Sequence, residues 1–168
     1  MKKIFVYLII LLSISNCKKE VGPLSDLKPV VPVLVSNAIA FRPDPTVSTP
    51  FPTAASPNSV INIVLTIPSG TGRKIKEITK VASSTSYALI QSSVTTVGTT
   101  GFYSLTSIPA STDGLSVTFT TTTNTYLALT LNPGTIVKDA ELAKRFYFLL
   151  TLDDGTQIIP EPVRVLVL

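Results

Sequence analysis

The residue types that most often carry chemistry in proteins are absent or nearly absent from this sequence. It contains no histidine, no tryptophan and a single cysteine, Cys17. Without histidine, the chain lacks the commonest general base, the commonest metal ligand and every Ser–His or Cys–His nucleophile pair. With one cysteine, it has no internal disulfide and no cysteine-rich zinc or iron–sulfur site. We therefore expect no enzymatic activity, no cofactor and no metal centre.

Charge is also sparse, at 14% of the residues. Lys2 and Lys3 lie in an apparent N-terminal leader, and its removal leaves 12 basic residues (14 less 2) against 10 acidic ones. The net charge of the remainder is thus near zero. Its basic residues form no stripe of the kind that binds the phosphates of nucleic acid. Nucleic-acid binding is therefore not expected.

The carboxylates suggest neither a hydrolase nor a calcium site. A glycosidase needs two carboxylates that face each other across a cleft. The one adjacent pair, Asp153-Asp154, precedes Gly155 and matches a hairpin turn, which explains both residues. Neither this pair nor Asp113 has the ligand spacing of an EF-hand. We interpret these acids as turn residues.

The first sixteen residues have the organisation of a secretory signal peptide. Lys2 and Lys3 precede the unbroken apolar run Ile4–Leu12, and a short polar stretch then leads to Cys17. A bilayer-spanning helix needs about 20 apolar residues, so this run is too short to cross a membrane. Its length fits the apolar region of a signal peptide.

The segment Ile14-Ser15-Asn16-Cys17 resembles a bacterial lipobox, although Asn16 departs from the usual Gly, Ala or Ser. The following residues, Lys18-Lys19-Glu20, resemble the charged stretch after the lipidated cysteine in lipoproteins of the Bacteroidota. The resemblance implies that Cys17 is acylated and becomes the N-terminus. It also implies a lipid anchor in the outer membrane, on the cell surface. The alternatives are the periplasmic face for the location and, for the segment itself, a plain signal peptide or an uncleaved anchor with a free cysteine nearby.

We expect three segments: a signal peptide at 1–16, a lipidated tether at 17–28 and a single domain at 29–168. The domain is rich in Thr, Ser and Val and is punctuated by Gly and Pro, which is typical of strands. The run 145–152 is apolar on both faces and predicts a central strand. The run Thr120–Thr123 predicts a solvent-facing or edge strand. The other predicted strands are 28–36, 60–67, 73–81 (with an irregularity), 86–94, 102–108, 115–120, 126–131 and 156–168.

Two segments depart from the strand pattern. Lys138–Lys144 predicts a short helix with Asp139 as its N-cap. The segment 43–57 contains five prolines, which exclude a helix or a central strand. We interpret it as a stiff connector; a polyproline-type ligand or an exposed recognition loop is the alternative.

The short helical turn before an aromatic strand, together with the closing hairpin, resembles an immunoglobulin-like module. This resemblance implies an all-β fold, with a single two-sheet antiparallel sandwich in which Tyr147 would be the corner tyrosine. The Cys–Trp–Cys core of antibody domains is missing. Of known groups, the chain is most similar to small immunoglobulin-like lipoproteins of the Bacteroidota. That similarity implies a location and an architecture, but no activity.

Two functions remain open. The first is a non-enzymatic structural or protein-interaction module of the cell envelope, and the alternative is a surface glycan-binding accessory lipoprotein for nutrient capture. An open strand edge on a Thr/Ser surface would favour the first, whereas exposed aromatic side chains at one end would favour the second. The candidate contact regions are the basic strand Arg73–Lys80, the 43–57 loop and four aromatic residues, Tyr87, Phe102, Tyr103 and Tyr126.

Overall fold

The computed structural model describes residues 31–41, 43–92, 101–104 and 107–168. Within them the chain consists mostly of β-strands in three sheets, which confirms the predicted all-β class. The predicted signal peptide, Cys17 and the tether at 17–28 lie outside the described residues. The described elements are β1 (Leu34–Val35), β2 (Thr46–Thr49), β3 (Val60–Thr66), a 3-10 turn (Ser69–Thr71), β4 (Ile75–Ser84), α1 (Ala88–Gln91), β5 (Phe102–Ser104), β6 (Ile108–Pro109), β7 (Ser116–Thr122), α2 (Thr123–Leu129), β8 (Ala140–Glu141), β9 (Arg145–Leu152), β10 (Gln157–Ile158) and β11 (Arg164–Val167).

The three sheets share one hydrophobic core. The first has the order β1-β3-β7, the second β10-β9-β4-β5 with β6 also paired to β4, and the third β2-β11-β8. The described strand pairs are antiparallel except β2 and β11, which are parallel. Phe146 and Val163 exchange two backbone hydrogen bonds of 2.9 and 2.8 Å, which link β9 of the second sheet to the segment that leads into β11.

Strand β3 follows the alternation that the sequence predicts. Ile61, Ile63 and Leu65 are buried, whereas Val60 and Asn62 are exposed. Successive side chains of a strand point to opposite faces, so this pattern places one face in the core. The strand pairs with β7 over its whole length, and β7 corresponds to the strand predicted at 115–120.

Strand β9 is central, as its apolar sequence predicts, and lies between β10 and β4. Phe146 and Phe148 belong to the main core, whereas Tyr147 packs with Ile90 and Phe102 in a second, smaller cluster. Both faces of the strand are therefore covered.

Two other predictions about the second sheet are confirmed. Strand β4 is irregular: its register with β9 shifts after Ile75 and again after Ile78. The Asp153-Asp154-Gly155 segment forms the turn between β9 and the antiparallel β10. Gly155 has a φ of +85°, a conformation that glycine adopts without steric cost.

Three predicted strands are shorter or divided. The prediction at 28–36 reduces, within the described residues, to the edge strand β1. The prediction at 102–108 covers β5 and β6, and residues 105 and 106 lie outside the described ones. The prediction at 156–168 divides into β10 and β11, with Pro160 and Pro162 between them. Val163, Val165 and Val167 all face the core, as predicted.

The predicted helix at 138–144 is wrong. Asp139 has a φ of +58°, in the left-handed region that interrupts a helix. Ala140 and Glu141 instead form β8, which pairs with Val167 and Leu166 of β11. The local helix propensity of this segment is overridden by pairing with a strand distant in sequence.

The strand predicted at 126–131 is also wrong, because α2 occupies this position. The Thr122 side chain accepts a hydrogen bond from the Thr125 N–H at 3.2 Å and so caps the helix. The prediction at 86–94 fails similarly, since α1 covers 88–91; residues 93 and 94 lie outside the described part. Short apolar runs do not distinguish a helix from a strand by periodicity alone. The Thr122 cap favours the helix at α2, whereas α1 has no side-chain cap.

The segment 43–57 is not only a connector, because it contains the edge strand β2. Thr46–Thr49 is a short run without proline, rich in β-branched residues, and it pairs in parallel with β11. Pro45 and Pro50 stand immediately outside this run. A missing proline N–H therefore removes no hydrogen bond from inside the strand.

Tyr126 ties together the connection between β7 and β9. Its side chain is fully buried, and its hydroxyl accepts a hydrogen bond from the Lys144 N–H at 3.0 Å and donates one to the Pro133 carbonyl at 3.4 Å. Tyr147, the predicted corner tyrosine, packs its ring edge-on against Tyr87. The strand predicted at 126–131 does not anticipate these two hydrogen bonds of the Tyr126 hydroxyl.

We expect Tyr126→Phe to lower the free energy of unfolding by about 1–3 kcal/mol, because the partly buried Lys144 N–H would lose its acceptor. Urea denaturation of the purified protein measures this change. The matched control is Tyr87→Phe at a ring that is 41% exposed, where we expect a change within about 0.5 kcal/mol. Equal effects of the two substitutions would contradict the role of Tyr126.

Candidate interaction surface

The sheet β1-β3-β7, called here the charge-free sheet, contains no Asp, Glu, Lys or Arg. It belongs to a chain in which Asp113 is the single charged residue between Val81 and Val137. The outward-facing side chains are mainly Thr, Asn and Val, and those of Leu34 and Val60 are 51% and 47% exposed. Charged residues are depleted in the centres of protein interfaces, so this composition suits a contact surface.

Beyond the two-residue edge strand β1, the same side of β3 is capped by side chains. The Asn37 amide accepts a hydrogen bond from the Val64 N–H at 3.0 Å and donates one to the Asn62 carbonyl at 2.9 Å. The Thr49 hydroxyl donates to the Val60 carbonyl at 2.8 Å. Backbone groups that an added strand would need on this side of β3 are therefore occupied.

On the opposite edge, formed by β7, no strand of the described part of the chain is hydrogen-bonded to β7, although β6 lies close to its start. The Ile67 N–H donates to Leu115 O and the Thr123 N–H to Ser59 O, so with this register the hydrogen-bonded pairs with β3 include Phe119 and Thr121. The backbone N–H and C=O groups of the alternate residues Thr118 and Thr120 therefore point away from the sheet. Their side chains are exposed. The strand carries none of the charges, prolines or bulges that commonly protect such an edge.

The path of the preceding segment explains this open edge. The Ser111 N–H donates to the Ser116 carbonyl at 2.7 Å, so the first residue of β7 is covered. Pro109, two residues earlier, has no N–H with which to continue that pairing. The chain at Ile108–Pro109 pairs with β4 instead, so no described strand is hydrogen-bonded to the edge from Thr118 onward.

The predicted basic strand Arg73–Lys80 does not form one free cationic patch. Arg73 makes ion pairs with both Asp153 and Asp154. The Nζ atom of Lys80 donates to the Ser92 carbonyl at 2.7 Å and lies 5.4 Å from the centre of the Phe102 ring. The exposed cations of the strand are Lys74 and Lys76.

The Asp153-Asp154 turn is an ion-pair partner for Arg73. The Arg73 guanidinium holds the pKa of the Asp154 carboxyl well below its usual range. A hydrogen bond from the Lys74 backbone N–H lowers the pKa of Asp153. Both carboxylates are therefore ionised at neutral pH, whereas a general acid needs a raised pKa.

The proline-rich segment 43–57 is partly joined to the C-terminal strand. The Arg164 N–H donates to Pro45 O, and the Phe51 N–H donates to Leu168 O, at 2.9 and 2.6 Å. The Arg164 side chain also pairs with Asp44 at 2.9 Å. A polyproline ligand exposes its backbone, so this half of the segment is not free to act as one. The turn at 53–58 is exposed.

Most of the candidate stacking aromatics are inside the protein. Phe102 and Tyr126 are fully buried, and Tyr103 is half-buried beside Phe119 and Phe146. Burial raises the pKa of Tyr103 to about 12. Of the four candidates only Tyr87 is exposed, so the described aromatics do not form a sugar-stacking platform.

A cavity of about 400 Å³ lies between the end of β4, α1 and the turn after α2. The sequence pattern does not indicate it, because its walls combine residues of the strands predicted at 86–94 and 126–131 with Lys144 of the predicted helix. Its polar lining includes Ser84, Thr85, Ser86, Ser92, Asn132 and Lys144. The lining also includes Leu89 and Leu131, so a ligand would meet both hydroxyl groups and apolar surface.

The described residues contain neither a metal-binding cluster nor a membrane-spanning helix. No group of three or more His, Cys, Asp or Glu residues among them is placed to hold a metal ion. No helix in the described ranges is both long and apolar enough to cross a bilayer.

The comparisons with known proteins add no relative to this picture: no protein-family model, no curated protein and no solved structure matches the chain.

Proposed function

We propose that this protein is a lipid-anchored lipoprotein of the cell envelope that acts as a non-enzymatic protein-interaction module. The observation that carries the proposal is the open β7 edge of the charge-free sheet. Its partner is a protein with an extended segment, which adds to β7 as a further strand. In such strand addition, backbone hydrogen bonds provide affinity and alternate side chains provide specificity.

The hydrogen-bonding groups of Thr118 and Thr120 make this mode of binding chemically reasonable. Each residue offers one N–H and one C=O to an incoming strand. Their side chains and those of Asn62 and Val64 form the adjoining outer surface, on which the partner's alternate side chains would rest. Thr–Thr and Thr–Val contacts across strands are favourable, and no charge has to be desolvated.

An immunoglobulin-like sandwich is the architecture that we propose for the domain. In that fold, strands A, B and E share one sheet and strands C, F and G share the other. Here β1, β3 and β7 would be A, B and E, and β4, β9 and β11 would be C, F and G. The strand orders and the Phe146–Val163 bridge support this assignment.

The location is proposed from the N-terminal sequence. The apolar run Ile4–Leu12 and the lipobox-like segment before Cys17 support lipid anchoring in the outer membrane. The charged stretch Lys18-Lys19-Glu20 supports the cell surface. Confinement to a membrane raises the effective concentration of a partner in the same membrane, so a modest strand-addition affinity suffices.

The test is site-specific photo-crosslinking in the cells that make the protein. With a photoreactive amino acid at position 118, we expect a discrete adduct of higher mass. Adding Thr120→Lys should remove most of that adduct, because an edge lysine opposes strand addition. The matched control places the photoreactive residue at position 48, which is exposed on the proline-flanked edge strand β2.

Two outcomes would contradict the proposed contact. One is an equal yield of the same adduct from positions 118 and 48, which would indicate random proximity. The other is an adduct from position 118 that persists in the Thr120→Lys variant. Unchanged thermal denaturation of the lysine variant shows that its fold is intact.

A further inference from the structure

The cavity beside α1 has a lining suited to a hydroxylated ligand. The side chains of Thr85, Ser86 and Asn132 are exposed at its walls and can both donate and accept hydrogen bonds. Asn132 has a φ of +51°, within the turn that follows α2. A ligand with several hydroxyl groups would complement this lining.

Internal hydrogen bonds fix the wall of the cavity. The Ser83 hydroxyl lies 2.7 Å from that of Thr130, which in turn lies 2.7 Å from the Tyr103 hydroxyl. Ser84 accepts a hydrogen bond from the Ser86 N–H at 3.3 Å. These bonds join the end of β4 to the segment after α2, so the site is held in place before a ligand arrives.

Among the described residues, Lys144 is the one charged residue that lines the cavity, and none of the acidic ones lines it. Among the described residues, no carboxylate forms an ion pair with its Nζ atom. Its backbone N–H is held by the Tyr126 hydroxyl, which fixes the base of the side chain. A ligand with one carboxylate would therefore meet a single, positioned cation.

The apolar part of the lining and the size of the cavity restrict the ligand further. Leu89 is half-buried, whereas Leu131 is 59% exposed although it lines the cavity. The apolar C–H face of a sugar ring could cover it. A volume of about 400 Å³ lies near the lower end of ligand sites, which suits one sugar unit better than a long chain.

We propose that this cavity binds a sugar acid of monosaccharide size, with its carboxylate at Lys144 and its hydroxyl groups at Thr85, Ser86 and Asn132. The site uses neither the β7 edge nor the charge-free sheet. It would give the protein a small-molecule ligand in addition to a protein partner.

Isothermal titration calorimetry of the full-length protein in detergent tests this inference, with glucuronate as the probe. Glucose has the hydroxyl groups without the carboxylate, and acetate has the carboxylate without the ring. We expect saturable binding of glucuronate and about tenfold weaker binding, or none, of the other two. Glucose or acetate binding as tightly as glucuronate would overturn the proposal.

Two substitutions locate the binding. Lys144→Gln should weaken glucuronate binding about tenfold or more, because a hydrogen bond to a charged group is lost. Leu131→Asp should weaken glucuronate binding as well, because the added negative charge in the cavity lining would repel the ligand carboxylate. Lys138→Gln, at an exposed lysine outside the cavity lining, should leave it unchanged. Absence of glucuronate binding, or equal affinity in Lys144→Gln and Lys138→Gln, would overturn the proposal.

Discussion

Phe146→Ala is expected to lower the free energy of unfolding by about 3–5 kcal/mol. The Phe146 side chain is fully buried at the start of β9. Its ring centre lies 5.3, 5.7 and 6.0 Å from those of Tyr103, Phe119 and Tyr126. Removing the ring would leave a cavity between rings contributed by three other elements, and these cannot all move to fill it.

The chain provides a control with the same chemistry. Phe41 is 62% exposed, and Phe41→Ala should change stability by no more than about 0.5 kcal/mol. Urea denaturation of both variants gives the comparison. A domain of this size has a stability of about 5–15 kcal/mol, so the Phe146 variant would lose a substantial part of it. Equal losses in the two variants would contradict the aromatic core.

Cys17→Ala is expected to move nearly all of the protein from the membrane fraction to the soluble fraction. Each buried methylene of an acyl chain contributes about 0.8 kcal/mol, so two or more chains hold a protein on the membrane almost permanently. Cell fractionation and immunoblotting measure the change.

Ser25→Ala is the matched control for the anchor, because it changes a small residue of the predicted tether without removing the thiol. Its membrane fraction should equal that of the native protein. Retention of the Cys17→Ala variant in the membrane at the native level would show that something other than acylation holds the protein there.

The parts of the fold that were predicted correctly depend on strong local patterns. Ile61, Ile63 and Leu65 alternate with exposed residues, and a half-buried strand is the one element that gives this period. The run 145–152 is apolar at nearly every position, which only a covered strand tolerates in a small domain. Asp153-Asp154-Gly155 specifies its own turn. In each case local preference and tertiary packing agree.

The incorrect predictions arose where distant contacts decide the structure. Residues 140 and 141 form a strand because they pair with β11, which is distant in sequence. This tertiary pairing overrides the local helix propensity of the segment. Thr46–Thr49 becomes a strand for the same reason. The pattern at 126–131 predicts a strand, whereas the hydrogen bonds of the Tyr126 hydroxyl to residues 133 and 144 depend on how the whole connection folds.

The candidate surfaces were predictable to different degrees. The near absence of charge between residues 81 and 137, where Asp113 is the single charged residue, is visible in the sequence. The run Thr120–Thr123 predicts a solvent-facing or edge strand; Thr120–Thr122 belong to β7, but Thr123 is the buried first residue of α2. The edge is open because Ile108–Pro109 pairs with β4 and not with β7, and the local sequence does not specify which strand this segment pairs with. The cavity unites residues 83–92, 131–132 and 144, and no spacing rule connects these segments.

Mass spectrometry of the N-terminal peptide of the mature protein, purified from membranes of its own cells, tests the account most directly. The account predicts that this peptide begins at Cys17 and carries fatty acyl chains on that residue. A mature chain that begins elsewhere, or that contains Cys17 as a free thiol, would contradict the lipid anchor and the membrane-confined interaction proposed from it.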